Sequence, residues 1–452
     1  CSWIFGFNFN NWSCFMSLND YESWGRYPKQ LPAQVEKLFW RSEIPDFNKF
    51  SKPVLPYGCG KSYGDSCLNE NGVLLDTRGI NRFISFDREK GILRCEAGVT
   101  LEQILDFALP LGWFPATTPG TKLITVGGAL ANDVHGKNHH KGGTFGRHVR
   151  KFELVRSNGE RIICSPEENS DMFSATISGL GLTGLITWME IQLSPCPSEF
   201  FAMEAIKFDR LEEFYEINQD SEKDFDYTVA WVDCTARGSS MGRGIYNRGN
   251  HADPKKMDIP EIKKKPPKAL PIEAPFINSC TVNAFNKLYF NKQMNKIEKD
   301  IVHYDPFFYP LDTVYHWNRA YGKNGFLQYQ FVIPFGKEQQ TYKKFLEAVA
   351  VSGLSSFLVV MKTFGDVVSP GMMSFPRPGV NMAIDFRMTG EKTLKLLDYL
   401  DKIVREANGG FYPAKDARMS SSDFKRFYPR WKEFLQYKDT NFSSSFWRRV
   451  CS

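Results

Sequence analysis

The sequence predicts an α+β protein of two domains, on three observations. The chain has 452 residues, more than one compact core of ordinary size accommodates. Asn-Gly turn signals stand between short apolar runs, so antiparallel strands are expected early in the chain. Helix-period patterns occur between and after those runs, a mixture that is α+β and not a doubly wound sheet.

Along the chain, residues 1–19 begin CSWIFGFNFNNWSCF, with no Lys or Arg before Arg26, so the basic start of a secretory signal is missing. They are expected to be an upstream or disordered extension. Residues 20–196 form the first domain. Asn71-Gly72 predicts a hairpin between Cys67-Leu68 and Val73–Leu75, and Asn158-Gly159 one between Phe152–Val155 and Arg161–Ile163. Thr100 with Gln103 makes a capping box for a helix that buries Leu101, Ile104, Leu105 and Ala108. A helix over Glu167–Ile177 precedes a strand over Leu185–Leu193.

Residues 197–412 form the second domain, a sheet with helices on one side. Strands are expected at Tyr227–Val232 and Phe326–Ile333, and helices at Glu338–Val351 and Lys392–Glu406. Inside it, residues 251–275 carry six Lys and six Pro, too little apolar surface to offset ordering, and predict a mobile loop. Residues 413–452 return to the first domain in a helical pattern.

Composition narrows the function classes. Apolar residues at 42% and charged residues at 24% describe a globular protein, and a net charge of +6 does not make a nucleic-acid binder. The longest apolar run, Phe345–Met361, is broken by Glu347, Ser352, Gly353, Ser355 and Ser356, which argues against a membrane span. Ten scattered Cys without CxxC or zinc spacing read as free thiols of a reducing compartment. That favours the cytoplasm, with a peripheral position at the inner membrane and the periplasm both left open.

Three glycine clusters carry the functional signal. Gly179, Gly181 and Gly184 spell G-x-G-x-x-G, but a strand follows where a Rossmann site needs a helix, so this is a tight turn. Gly58, Gly60 and Gly64 lie in PYGCGKSYGD, a loop whose amides can converge on an anion. The stretch from Thr118 to His148 holds seven Gly and four of the seven His with little regular periodicity, the composition of a backbone that approaches a ligand closely. A metal on His135, His139, His140 and His148 is the competing reading, weakened because no carboxylate or Cys completes a set.

These clusters carry a resemblance. Gly58–Asp65, Thr118–Gly128, Asp133–His140 and Gly179–Gly184 are similar to the FAD-binding (PCMH-type) domain of the vanillyl-alcohol oxidase / p-cresol methylhydroxylase superfamily. Further matches at Ala230-Trp231, Trp317–Tyr321, Phe326–Pro334, Lys362–Gly365, Ser374–Pro376 and Tyr412–Arg418 resemble the decaprenylphosphoryl-β-D-ribose 2′-oxidase group. The resemblance implies a two-subdomain FAD-binding domain closed by an α+β substrate domain with a large antiparallel sheet. It implies FAD held without a covalent bond, because Lys61 stands where relatives that oxidise lactones attach flavin to His.

The implied activity is oxidation of the 2′ hydroxyl of a polyprenylphosphoryl-β-D-ribose-like donor to a keto sugar, as half of an epimerisation. An NAD(P)H-dependent keto-reductase partner, a quinone or other electron acceptor and a peripheral membrane contact through residues 251–275 follow from it. An aldonolactone or alditol oxidase using O₂, and a silent flavin-binding partner subunit, are the alternatives. The mycobacterial members carry Cys at the position of Ala383, which nitroaromatic inhibitors trap.

The site residues implied fall into three groups. Lys415 supplies a cation to the flavin N1–O2 edge, and His135 orients or deprotonates the substrate hydroxyl, or only braces its loop. Tyr63, Lys137, Trp231, Tyr321, Gln328, Gln330, Lys362, Asn381 and Tyr412 hold substrate, with Gln328 and Gln330 on one strand face. Gly58, Cys59, Gly60, Lys61, Ser62, Tyr63, Thr118, Pro119, Gly120, Thr125, Gly127, Gly128, Asn132, His135, Gly136, Asn138, Gly181, Gly184, Ile186 and Lys415 hold the cofactor.

Overall fold

A computed structural model describes residues 17–259, 268–270, 273 and 275–451. Residues 1–16 of the extension expected at 1–19, and much of the Lys/Pro loop, including 260–267, lie outside the described residues, whereas Leu18–Asp20 form a 3₁₀ turn.

The first strands, β1 (Gln34–Lys37), β2 (Val54–Tyr57) and β3 (Val73–Asp76), form a three-stranded sheet in the order β1-β3-β2 with both pairings parallel. This corrects the hairpin expected at Asn71-Gly72. Asn71 does take a left-handed backbone, at φ 55°, but Asp65–Cys67 is a 3₁₀ turn that gives β3 no antiparallel neighbour. Asn69 holds the turn instead, its side-chain amide donating to Pro53 O and Val73 O at 2.8 and 3.0 Å.

A six-stranded sheet follows, from β4 (Phe83–Asp87), β5 (Ile92–Glu96), β6 (Trp113–Pro115), β7 (Val149–Val155), β8 (Arg161–Cys164) and β9 (Leu185–Pro195). Its order is β4-β5-β9-β7-β8, with β6 also paired to β9. The β7–β8 hairpin closes through Asn158-Gly159, with Gly159 at φ 84°, as the sequence predicts. Helix α1 (Leu101–Ala108) carries the expected capping box and buries the four expected residues. Three more short helices follow, α2 (Val126–Ala131), α3 (His139–Gly142) and α4 (Ser170–Thr176). Helix α4 starts later than its pattern because the Glu167 and Glu168 amides are taken by Ser165 Oγ at 3.1 and 2.9 Å.

The large sheet has eight antiparallel strands: β10 (Phe200–Phe208), β11 (Tyr227–Val232), β12 (Gly244–His251), β14 (Ile297–His303), β16 (Phe326–Ile333), β17 (Val359–Phe364), β18 (Gly379–Arg387) and β19 (Gly410–Phe411). Their order is β14-β10-β12-β11-β17-β18-β16-β19; the short β13 (Lys268–Ala269) and β15 (Val314–Tyr315) pair with each other. The strands and helices expected here are found, helices α8 (Glu338–Ser352) and α9 (Glu391–Glu406) among them, with α5 (Leu211–Asp224), α6 (Ser279–Lys292) and α7 (Tyr304–Phe308).

Side chains alternate across a strand, so this sheet has two unlike faces. Phe208, Val232, Tyr246, Tyr329, Phe331, Met361, Met382 and Ile384 join Phe214, Phe345, Leu346, Leu397 and Leu400 of α5, α8 and α9 in one buried core. The opposite face presents Met203, Asn247, Val229, Trp231, Val360, Lys362, Asn381, Ala383, Gln328 and Gln330 to a cavity.

The C-terminal segment ties the parts together. The amide of Tyr63 donates to Ala414 O at 2.9 Å, and Val54 exchanges bonds with Asn441 and Ser443 at 2.8 and 3.0 Å. Helices α10 (Ser421–Phe427), α11 (Trp431–Phe434) and α12 (Ser445–Cys451) add Phe424, Phe434 and Trp447 to the core behind the large sheet. Arg449 of α12 bridges Asp65 at 2.7 Å and Asp416 at 2.8 Å.

Candidate active site

The cavity encloses about 820 Å³, within the range of cofactor and ligand sites. Its two sides are built differently. One side is backbone, from the turns at 58–62, 118–128 and 181–184; the other is the polar face of the large sheet with Lys415 and Tyr412 at its end.

In the first turn the amides of Cys59, Gly60, Lys61 and Ser62 donate to no acceptor among the described residues, although all four residues line the cavity. Consecutive free amides of this kind form an anion-binding nest. Gly60 permits it with a left-handed backbone, φ 61°, and a Cβ there would overlap the Tyr57 hydroxyl. Gly64 serves the docking of the C-terminal segment, because a Cβ would overlap the Asp416 carbonyl. The second turn is more regular than its sequence predicts: Thr125 Oγ accepts from Gly128 N at 3.1 Å and starts α2.

The cavity concentrates charge. Lys137 between α2 and α3, Lys362 on β17 and Lys415 in the C-terminal segment are partly buried, and desolvation pulls their ammonium groups down to about 8, about 7 and about 7. Lys61, on the turn, is likewise pulled down to about 8, with its Nζ 3.5 Å over the Trp24 ring. Lys362 donates to Gly136 O at 2.9 Å, Lys137 to Phe308 O at 3.2 Å, and Lys415 Nζ lies 3.7 Å from the Tyr63 ring centre. Buried cations gathered around one cavity are stabilised by bound anions.

His135 is buried, and desolvation followed by the charge of Lys362 holds its imidazole well below the usual range, hence neutral. Gln330 Nε2 lies 2.9 Å from His135 Nε2 and donates to Asn381 Oδ1 at 3.0 Å, while His135 Nδ1 has no protein partner. Tyr412 donates through its hydroxyl to Asn132 O at 2.8 Å, and Trp231 Nε1 to Phe357 O at 2.9 Å.

Of the catalytic, substrate and cofactor residues that the resemblance implies, all but two line this cavity. Tyr321 does not: its ring stacks on Phe326 at 4.1 Å and its hydroxyl donates to Asp385 Oδ2 at 3.1 Å, so it supports the wall from behind. Asn138 does not either, because its amide is spent on Ala116 O at 2.8 Å. The clustered histidines form no metal site among the described residues; His139 lies against Phe364 with ring centres 4.5 Å apart.

Sequence reasoning missed Asp385, which accepts from Gln328 Nε2 at 2.7 Å and whose carboxyl burial raises to about 7. Alternation along β18 places it on the face of Asn381 and Ala383, so the signal was present. It also missed Trp24, Asp312, Phe285 and Tyr289, whose segments carry no glycine cluster.

Both sides suit FAD. The nest at 59–62 fits a diphosphate, and the lysines fit the charge that collects on a flavin edge and on a phosphorylated ligand. Comparisons with known proteins agree. The FAD binding domain family matches residues 41–165. Decaprenylphosphoryl-beta-D-ribose oxidase of Mycolicibacterium smegmatis is 36% identical over 424 residues, 88% of this chain and 89% of that protein. The "uncharacterized protein in mprA 5′ region" of Streptomyces coelicolor is 27% identical over 355 residues, 75% of this chain and 95% of that protein. Cytokinin dehydrogenase 9 of Oryza sativa subsp. japonica is 35% identical over 132 residues, 28% of this chain and 25% of that protein. The chain therefore belongs to the decaprenylphosphoryl-β-D-ribose oxidase family and is an FAD-dependent oxidoreductase acting on CH–OH groups.

Proposed function

We propose that the chain oxidises the 2′ hydroxyl of a polyprenylphosphoryl-β-D-ribose-like donor to a keto sugar, as the first half of a 2′-epimerisation. The observation that carries this reading is the meeting of Lys137, Lys362 and Lys415 with His135, Gln328, Gln330 and Asn381 in one cavity that a nest of free amides also lines. When bound, FAD supplies the acceptor for the hydride that leaves the sugar carbon.

The chain's own residues do the rest. Lys415 holds positive charge where negative charge develops, on the flavin edge, and Asp385 keeps part of that charge on it. His135, whose Nε2 lies 2.9 Å from Gln330 Nε2, orients the hydroxyl or takes its proton. Gln328, Gln330 and Asn381 hold the sugar hydroxyls, Lys137 and Lys362 the donor phosphate, and Tyr63, Trp231 and Tyr412 the walls around them. Lys61 occupies its position with an amine, so FAD stays non-covalent. The keto product passes to an NAD(P)H-dependent keto-reductase, and a quinone or another acceptor removes the electrons.

The test is anaerobic bleaching of the flavin spectrum by farnesylphosphoryl-β-D-ribose, with acid precipitation releasing all the FAD into the supernatant. Absence of bleaching overturns the reading, and flavin retained in the pellet overturns the non-covalent link. An aldonolactone or alditol oxidase would release peroxide with soluble lactones, and a silent partner subunit would leave the flavin oxidised in both arms. Among the described residues no helix is long and apolar enough to cross a membrane. A lipid-linked donor therefore calls for a peripheral membrane contact.

A further inference from the structure

Helix α6 is anchored by one narrow stripe and leaves an apolar one bare. Val282, Asn286 and Phe290 are buried, and Asn286 Nδ2 donates to Asp233 Oδ1 at 2.9 Å and to Ser356 O at 3.2 Å. At helical spacing Phe285, Leu288 and Tyr289 form the adjoining stripe, and they are 44%, 73% and 36% exposed. Phe276 before the helix and Met294 after it are 48% and 84% exposed. Large apolar side chains exposed side by side mark an interaction surface.

Charge identifies the kind of surface. From Phe276 to Ile297 there is no Asp or Glu, while Lys287, Lys292 and Lys296 all occur. Lys296 is held by Glu213 at 2.7 Å; Lys287 and Lys292 make no ion pair among the described residues. Protein interfaces are depleted in Lys, whereas helices lying in a membrane interface combine Lys with Phe, Leu and Tyr. Phe285 and Tyr289 also line the catalytic cavity, as do the exposed Val314 and Tyr315 of β15, so the cavity opens on this surface.

We propose that α6, with Phe276 and Met294 at its ends, docks on an anionic lipid bilayer and sets the cavity mouth at headgroup level. A lipid-linked donor then presents its sugar without leaving the membrane. The link to the donor rests on the proposed function; the docking itself does not.

The test uses the FAD-loaded full chain and flotation with vesicles of phosphatidylcholine alone or with 30% (about one lipid in three) phosphatidylglycerol. Leu288 and Met294 lie outside the cavity lining, so the double variant Leu288→Asp, Met294→Asp keeps its FAD spectrum and its anaerobic reduction by farnesylphosphoryl-β-D-ribose in detergent. Wild type is expected to float with anionic vesicles, and the double variant to bind them at least about tenfold more weakly. Lys287→Ala with Lys292→Ala is expected to cost about fivefold per lysine, with the difference vanishing at high salt. The proposal falls if wild type stays unbound, if the double variant binds as wild type does, or if the double variant changes only the oligomeric mass, which would make the face a protein interface. Failure of flavin reduction in wild type would overturn the substrate reading and leave the vesicle result standing.

Discussion

The two sides of the cavity do opposite work with opposite materials. The turn at 58–62 offers free amides and one cation, Lys61, while the sheet wall offers Lys362 on β17, Gln328 and Gln330 on β16 and Asn381 on β18, with Lys137 joining them from the loop between α2 and α3. A nest binds through fixed backbone dipoles, whose charge does not change with pH. The wall carries ammonium groups, on Lys137 and Lys362, that burial has lowered to about 8 and about 7. Cofactor holding is therefore expected to rest mainly on geometry, with Lys61 as the titratable group of the turn, and substrate holding mainly on charge.

Removing the cation is the strongest way to break that comparison. Lys415→Ala is expected to lower the rate of flavin reduction by about 10²–10³-fold while FAD content stays normal, measured by anaerobic stopped-flow absorbance. Loss of FAD together with the rate would assign Lys415 to cofactor holding. Next comes pH. Lys137 and Lys362 are lowered by burial in the free protein, and a bound phosphate is expected to restore their charged forms, so binding is expected to take up protons. Affinity for the phosphorylated donor is expected to be highest at and below about pH 7 and to fall above it, by up to about tenfold per unit for each proton taken up. Calorimetry in buffers of different ionisation enthalpy measures that uptake, and proton release on binding would reverse the assignment.

On the backbone side, Gly60→Ala puts a side chain on a left-handed residue, costing about 1–2 kcal/mol beyond its overlap with Tyr57. The expected outcome is weaker FAD retention on gel filtration, with a reduction rate per bound flavin close to wild type. The smallest effect on turnover is expected from Ala383→Cys, on the wall. It should leave flavin reduction unchanged and make the protein open to covalent capture by nitroaromatic inhibitors, read by mass spectrometry.

The asymmetry also explains what was legible. The hairpin at Asn158-Gly159 and the helix capped by Thr100 were readable because their bonds close within a few residues. Asn71-Gly72 looks the same in sequence and forms no hairpin, because the partners of β3 are β1 and β2, each joined to it at a distance and in parallel. Glycine clusters betrayed the nest. Tyr321 and Asn138 stand outside the cavity lining because their side chains turn to Asp385 and Ala116.

What the sequence determined by itself was local: the α+β mixture, the long strands and helices of the second region, and the turns poor in side chains. Those features depend on spacing, capping and backbone freedom over a handful of residues. Only the tertiary structure decided that Lys362 and Gln330 meet Lys415 in one cavity, and that Trp24 lines it. The burial that shifts those lysines is a property of the closed cavity, since desolvation needs every wall in place at once.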